Sequence, residues 1–345
     1  MFIKGAKEWI GPSARTFLLI KIFIEQKLLA LGYNYFYGGI VSKCSIYDGY
    51  TKILGDHFKD IFVDFKYSGY SGTDYILAPE YTFRVYEYLS RNDFPPDYKK
   101  VFYSQEMMRN ESIADVKDGK TFSFWQIGYE IFGTDDSVLS VESIATLWHC
   151  LHTFPLDGLR LRISDKRILQ ALCKQYSISD TELHRILSLL ESCNEDGNTF
   201  YNLYVQGGGS REFARMLAHL LCLADKNMFN SSVIQDMLKD DLALEAAKNL
   251  NTIYGELKSR CKDSDIVMVP AMPKTWNAYT TVVYDARVND YDKAIAGGGN
   301  LFIDTTNPDY VHSGAGIGVT RIAEYLLATG KGVDASNASW MNTEI

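Results

Sequence analysis

The sequence has no cysteines spaced to grip a metal. Its six cysteines, Cys44, Cys150, Cys173, Cys193, Cys222 and Cys261, are scattered, with no Cys-x-x-Cys pair and no histidine cluster. That usage speaks against a zinc site and for reduced thiols in a cytoplasmic protein. No run of about eighteen apolar residues occurs, the length a membrane-spanning helix needs, so no membrane partner is expected. The N-terminus lacks the layout of a secretory signal. Positive charge is not in excess either. A net charge of −8 argues against a broad non-specific nucleic-acid surface, while leaving room for a local basic patch. The run Gly207-Gly208-Gly209-Ser210 lacks the Lys-Ser/Thr that completes a phosphate-binding P-loop, so it reads as a turn and helix cap.

What is present is an ordinary globular composition, 46% hydrophobic and 23% charged over 345 residues, enough to bury a core and to form more than one domain. Tyrosine is abundant, at 23 residues. The most informative stretch runs over 99–133. Val101, Tyr103 and Gln105 alternate with Phe102, Ser104 and Glu106, which predicts a strand. A polar loop with the turn signal Asp118-Gly119 follows, and 122–132 predicts a second strand. Arg109 and Glu111 stand where the first strand enters the loop. Gln126 and Glu130, four apart, share a face of the second. In an anonymous hairpin such a polar face ordinarily meets water. Polar groups on so aromatic a strand also suit a binding pocket.

Elsewhere, Pro12-Ser13 precedes an apolar segment over 14–31 that predicts a helix, capped by Ser13 and ended by Gly32. Its apolar surface is broad enough to cover both a sheet and a second subunit. A strand is expected over 33–41, and short strands over 62–65 and 75–77. The segment Pro79-Glu80-Tyr81-Thr82 opens a helix reaching 89, and another helix spans 136–152. A strand over 159–163 precedes a mostly helical region to about residue 250. Strands return over 266–269, 278–287 and 294–302, and 312–327 is a glycine-rich strand running into a helix that carries Arg321.

These pieces resemble the class II aminoacyl-tRNA synthetases, and among them the histidyl-tRNA synthetases. Met108-Arg109-Asn110-Glu111 and the segment from Phe124 to Gly133 are similar to motif 2, with Met108 in place of the usual Phe. Leu77-Ala78-Pro79-Glu80-Tyr81-Thr82 resembles the family's L-R-P-E-G-T. Gly314, Gly316, Gly318 and Arg321 resemble motif 3, and the first helix and strand resemble the dimer-forming motif 1, with Gly38-Gly39 where a Pro usually ends the strand. The resemblance covers nearly the whole chain. It implies an α+β fold, a class II synthetase-like antiparallel sheet flanked by helices. Residues 1–156 would carry motifs 1 and 2, 157–264 a helical insertion, and 265–345 motif 3.

The resemblance also implies an ATP-dependent activation of an amino acid, with ATP and magnesium as cofactors. Arg109 would meet the α-phosphate and the carboxylate, and Arg321 the γ-phosphate. Glu111 and Lys120 would serve the nucleotide, and Gly316 and Gly318 would let the backbone approach adenine. Glu80, Thr82, Gln126 and Glu130 would hold the ammonium group; the alternative for Glu130 is a plain ion pair with a lysine. Lys274 takes the place of the catalytic Arg of R-G-L-D-Y-Y-T-G, and Tyr279 keeps one aromatic of the side-chain pocket where Ala278 loses another. The family's A-G-G-G-R-Y-D becomes Ala296-Gly297-Gly298-Gly299-Asn300-Leu301-Phe302. The ATP side is thus kept while the side-chain pocket has drifted, and weak histidine binding is expected. Only 328–345 follow motif 3, where the family carries an anticodon-binding domain. Three functions follow as expectations: a stand-alone amino-acid-activating ligase, with tRNA one possible acceptor; the histidine-sensing regulatory subunit of ATP phosphoribosyltransferase, partnered by its catalytic subunit; and an inert dimerising module. Retention of Arg109, Glu111 and Arg321 places the ligase ahead, as a homodimer.

Overall fold

The computed structural model describes residues 7–49, 51, 56–65, 75–92, 99–112, 116, 120–226, 228–238, 240–262, 264–273, 279–301 and 311–333. In chain order the first elements are α1 (Pro12–Ala30), β1 (Asn34–Tyr35), β2 (Val41–Lys43), β3 (Val63–Asp64), β4 (Tyr75–Leu77), α2 (Thr82–Arg91), β5 (Lys100–Met108), β6 (Ser123–Gly133) and α3 (Asp136–Leu151). Then come β7 (Arg160–Asp165), α4 (Lys166–Gln175), α5 (Asp180–Ser192), α6 (Gly197–Gln206), α7 (Arg211–Asp225), α8 (Ser231–Met237) and α9 (Asp241–Arg260). The last are β8 (Asp265–Met268), β9 (Tyr279–Arg287), β10 (Ala296–Leu301), β11 (Val311–Gly318) and α10 (Val319–Ala328). The fold is α+β, with mostly antiparallel strands and flanking helices, as expected. No helix among the described residues is long and apolar enough to cross a membrane.

Two compact units emerge. The first comprises residues 1–131, 149–157 and 315–345; the second comprises 132–148 and 158–314. In the first, α1 buries Thr16, Ile20, Ile24 and Leu28, one residue per turn. Its start differs from expectation. Ser13 does not cap it. Gly11, at φ 63°, is the N-cap, and Pro12 occupies the first helical position, where its missing N–H is no loss and its fixed φ suits the helix. The end is as expected: Gly32, at φ 81°, turns the chain, and Tyr33 N–H bonds Leu28 O at 3.0 Å.

The strand expected over 33–41 shrinks to Asn34–Tyr35, which pairs in parallel with Val101 and Phe102 of β5. Beyond it the chain leaves the sheet and re-enters pairing as β2, in a small antiparallel sheet ordered β2-β4-β3. The β5–β6 hairpin is regular from Lys100↔Ile131 to Met108↔Ser123. That register puts Val101, Tyr103 and Gln105 opposite Glu130, Gly128 and Gln126, all on one face. At the base of α10, Thr320 Oγ1 accepts the Trp125 backbone N–H at 2.8 Å, which ties the helix to β6.

In the second unit the strands run in the order β10-β9-β7-β8. β9 is antiparallel to β10 and β7, whereas β7 and β8 are parallel. Helices α4 to α9 occupy the predicted helical region. Each is capped at its N-terminus by the side chain of Asp165, Ser179, Asp196, Ser210, Asn230 or Asp240. Ser210 is thus the helix cap expected of the glycine run. Arg162, paired with Asp285 across β7 and β9, makes a bidentate bond to it at 2.8 and 2.6 Å and reaches Glu195 at 2.6 Å.

Candidate active site

The candidate site lies on the hairpin face of the first unit. Glu80 and Thr82 sit where the chain turns from β4 into α2. Glu80 folds its carboxylate back over the helix start and accepts the Phe83 N–H at 3.4 Å. It is 3% exposed, and its Oε1 has no partner among the described residues. Glu130, at 1% exposure, accepts the Thr82 hydroxyl at 2.7 Å. Burial and the charge of Glu130 push the Glu80 carboxyl up to about 8. So Gln126 and Glu130 do share a face, buried at Glu130 and partly exposed at Gln126.

Tyr103 stands at the centre. Its hydroxyl accepts the Gln126 amide N–H at 3.3 Å and lies 3.5 Å from Thr82 Oγ1. Its ring packs on that of Tyr81, 5.4 Å away. Burial, then Glu130 and Glu80, drives its hydroxyl well above the ordinary tyrosine value, so it remains a neutral donor and acceptor. Gly316 of β11 adjoins Gln126: a β-carbon there would lie 2.7 Å from Gln126 Cδ. Gly318 is the N-cap residue of α10.

Arg109 leaves the end of β5 half-buried. Its Nε donates to Pro79 O at 3.1 Å, and its guanidinium lies 5.0 Å from the centre of the Phe124 ring. Burial lowers its pKa, Arg321 pushes the same way, and Glu111 and Glu80 oppose them. Arg321, exposed on the first turn of α10, is therefore an electrostatic neighbour of Arg109. Two guanidiniums that repel one another suit a shared anion, and planar forks of this kind grip phosphates well. Glu111 pairs with Lys120 at 3.7 Å.

The first unit thus brings together Glu80, Thr82, Gln126, Glu130, Arg109, Glu111, Lys120, Gly316, Gly318 and Arg321. Tyr279 belongs to the second unit, where it begins β9; its carbonyl accepts Lys166 Nζ at 2.7 Å. Lys274, with Trp276 and Ala278, lies outside the described residues. Sequence reasoning missed Tyr103 and Gly128 as site residues. The signal was available: a lone glycine in an aromatic strand marks a close approach, but only the register shows that the approaching group is Tyr103.

Buried Glu80 and Glu130, the electrostatic neighbours Arg109 and Arg321, and an antiparallel hairpin with a glycine-rich strand running into a helix define a class II synthetase-like catalytic core. The match to the family model described as "Histidyl-tRNA synthetase" covers residues 65–301, and the chain belongs to that family. It is 24% identical over 299 residues to a histidine–tRNA ligase of Pyrococcus furiosus, covering 81% of this chain and 66% of that one. It is 20% identical over 187 residues to an ATP phosphoribosyltransferase regulatory subunit of Dehalococcoides mccartyi, covering 54% and 44%. The chain thus spans about half to two thirds of the length of these curated relatives. Among solved structures, an ATP phosphoribosyltransferase regulatory subunit/histidyl-tRNA synthetase of Bacillus halodurans shares the fold with a TM-score of 0.76 at 16% identity, over 94% of this chain and 83% of that one.

Proposed function

We propose that the first unit binds a free amino acid by its ammonium group and ATP by its phosphates, and joins them as an aminoacyl-adenylate. The observation that carries this reading is the burial of Glu80 and Glu130 side by side, with one carboxylate oxygen lacking any partner among the described residues. Burying a carboxylate is expensive unless a cation or donors meet it, and an ammonium offers both. Thr82, Gln126 and Tyr103 shape the acceptor set around it.

In the reaction an oxygen of the amino acid's carboxylate attacks the α-phosphorus of ATP. One O–P bond forms, the bond to the leaving oxygen breaks, and pyrophosphate departs with the electron pair. No proton is transferred. Charge builds on the phosphoryl oxygens, so fixed cations are the main resource. Arg109, anchored by Pro79 and Phe124, would serve the α-phosphate and the carboxylate, and Arg321 the γ-phosphate. Glu111 and Lys120 would hold the nucleotide's other end, with Gly316 and Gly318 keeping the adenine side open. Lys274 and Tyr279 keep, by family resemblance alone, the roles of a further catalytic cation and of an aromatic toward the amino acid's side chain. Magnesium, bound with ATP, would supply further positive charge against the phosphates. The protein would act in the cytoplasm as a homodimer, with 157–264 as a helical insertion and tRNA one candidate acceptor.

The second reading is a histidine-sensing regulatory subunit that binds the catalytic subunit of ATP phosphoribosyltransferase. It is favoured by the similarity to the Dehalococcoides mccartyi subunit and by Lys274, which lacks the bidentate fork of the family's Arg. Exchange of labelled pyrophosphate into ATP, run over every amino acid with magnesium, separates the two. Activation predicts exchange with at least one amino acid and a loss of about 10²–10³ in Arg109→Ala, the usual consequence of deleting a preorganised charge. No exchange with any amino acid, combined with retained histidine binding, selects the regulator.

A further inference from the structure

We infer that, without an amino acid, the Glu80–Glu130 pair carries one proton on Glu80, and that the ammonium group of an arriving amino acid displaces this proton to solvent. The inference rests on the amino-acid reading above and adds a proton linkage to it.

The argument begins with the count of charges. Facing Glu80 are Glu130 from β6, Tyr103 from β5, Tyr81 just before α2, Tyr47 from the turn Cys44–Tyr47, and Arg109 from the end of β5. Of these only Arg109 is cationic, and its Nε is directed to the Pro79 carbonyl. The three tyrosines are neutral, their hydroxyls raised first of all by burial. Arg84 of α2 lies over the Tyr81 ring and donates to Gly39 O. Among the described groups that face Glu80, two carboxylates and one guanidinium therefore leave a surplus negative charge, and like charges so placed do not both ionise.

Which carboxylate takes the proton follows from the donors. Glu130 receives the Thr82 hydroxyl at 2.7 Å. Glu80 accepts backbone N–H groups of Thr82 and Phe83 at the start of α2, the latter at a long 3.4 Å, and its Oε1 has no partner among the described residues. With one oxygen unmet, Glu80 is the group that takes the proton. Burial and Glu130 raise Glu80 to about 8, in agreement with the geometry. When an ammonium group arrives, the Glu80 O–H bond breaks, its electron pair stays on the carboxylate, and the proton passes to water. Nothing is oxidised or reduced. Affinity then rises about tenfold per pH unit and levels off near pH 8.

Calorimetry tests this on the full chain at pH 7, in one buffer of low and one of high protonation enthalpy, with L-histidine as first probe and then the remaining amino acids, each with and without ATP. The expected result is the release of about one proton per amino acid bound. Infrared spectroscopy of the free protein at pH 7 should also show the carbonyl band of a protonated carboxyl, lost on saturation and absent from Glu80→Gln. In that variant, for an amino acid whose side chain does not titrate, the dissociation constant should be flat between pH 6 and pH 8, where the wild type changes by about fiftyfold. If Glu80→Gln fails to fold, Glu130→Gln replaces it: removing the repulsion should move the band's midpoint to lower pH. Binding heats independent of buffer, or no such band, would overturn the proton linkage while leaving amino-acid binding intact. No binding heat from any amino acid would overturn the reading beneath it, and the linkage with it.

Discussion

A β-carbon on Gly128 would sit 2.1 Å from Tyr103 Cζ and 2.2 Å from its hydroxyl oxygen. The two residues are register partners across the hairpin, so the ring lies directly over the glycine. Gly128→Ala must therefore displace the ring that links Thr82 to Gln126. The expected cost is about 1–3 kcal/mol, as for other overpacked cores, together with weaker amino-acid binding. Urea unfolding and calorimetry measure both. Adding Tyr103→Leu to Gly128→Ala should recover stability but not binding. An alanine variant with wild-type unfolding and binding contradicts the assignment.

Helix α1 leaves Leu18 and Leu29 at 51% and 55% exposure while its other stripe is buried. Large apolar groups so exposed on a helix are commonly covered by a partner, and two-fold dimers are the commonest assembly. Wild-type protein is expected to sediment as a dimer at micromolar concentration, and the double substitution Leu18→Asp, Leu29→Asp as a folded monomer. A wild-type monomer removes the homodimer from the proposed function.

The two strands of the hairpin were legible because their alternation and polar positions are local in sequence; the turn expected at Asp118-Gly119 lies outside the described residues. So were the helix caps at Ser210 and the stop at Gly32, which depend on neighbours a few residues away. Ser13 misled because a serine before an apolar run usually caps it, yet Pro12 had already fixed the first helical φ. The strand over 33–41 was overread because its aromatic residues suit a strand, whereas pairing with β5 ends after Tyr35. Tyr103, Gly128 and the Arg162–Asp285–Glu195 cluster were not legible at all. Each depends on which residue of one strand or loop faces which residue of another, and that register is written across the whole fold.

Asp240 offers a pH-dependent test in the second unit. Its carboxylate accepts the N–H groups of Leu242 and Ala243 at the start of α9, at 3.0 and 3.2 Å. Those bonds, the Ala243 one foremost, and Lys174 hold its pKa below the usual aspartate value. A depressed carboxylate stabilises the fold above its unfolded pKa, and the benefit is lost as pH falls through the folded value. Asp240→Ala should cost about 0.5–2 kcal/mol at pH 7 and progressively less below pH ~4. Asp240→Asn keeps an accepting oxygen and should lie near wild type at pH 7. Stability curves for the three proteins that stay parallel from pH 7 to acid would contradict this.

Two residues after helix ends share a left-handed backbone but should respond to glycine with opposite sign. Ser177, at φ 51°, follows α4 and is exposed; Glu195, at φ 62°, follows α5, and its side chain is 6% exposed against Arg162. A left-handed non-glycine residue costs roughly 1–2 kcal/mol. Ser177→Gly removes that cost and gives up no buried contact, so it should stabilise by about 1 kcal/mol. Glu195→Gly gains the same but breaks a buried ion pair, a loss of about 3–5 kcal/mol. Arg162 keeps its two bonds to Asp285, which favours the lower end. The net expectation is a destabilisation of roughly 2 kcal/mol, or about 4–8 °C in Tm for a unit of this size. If both glycine variants melt higher than wild type, the backbone strain outweighs the ion pair, and Arg162 and Asp285 hold the loop without Glu195. If Glu195→Gly alone melts lower, the buried charge cluster fixes where the turn between α5 and α6 meets β7 and β9.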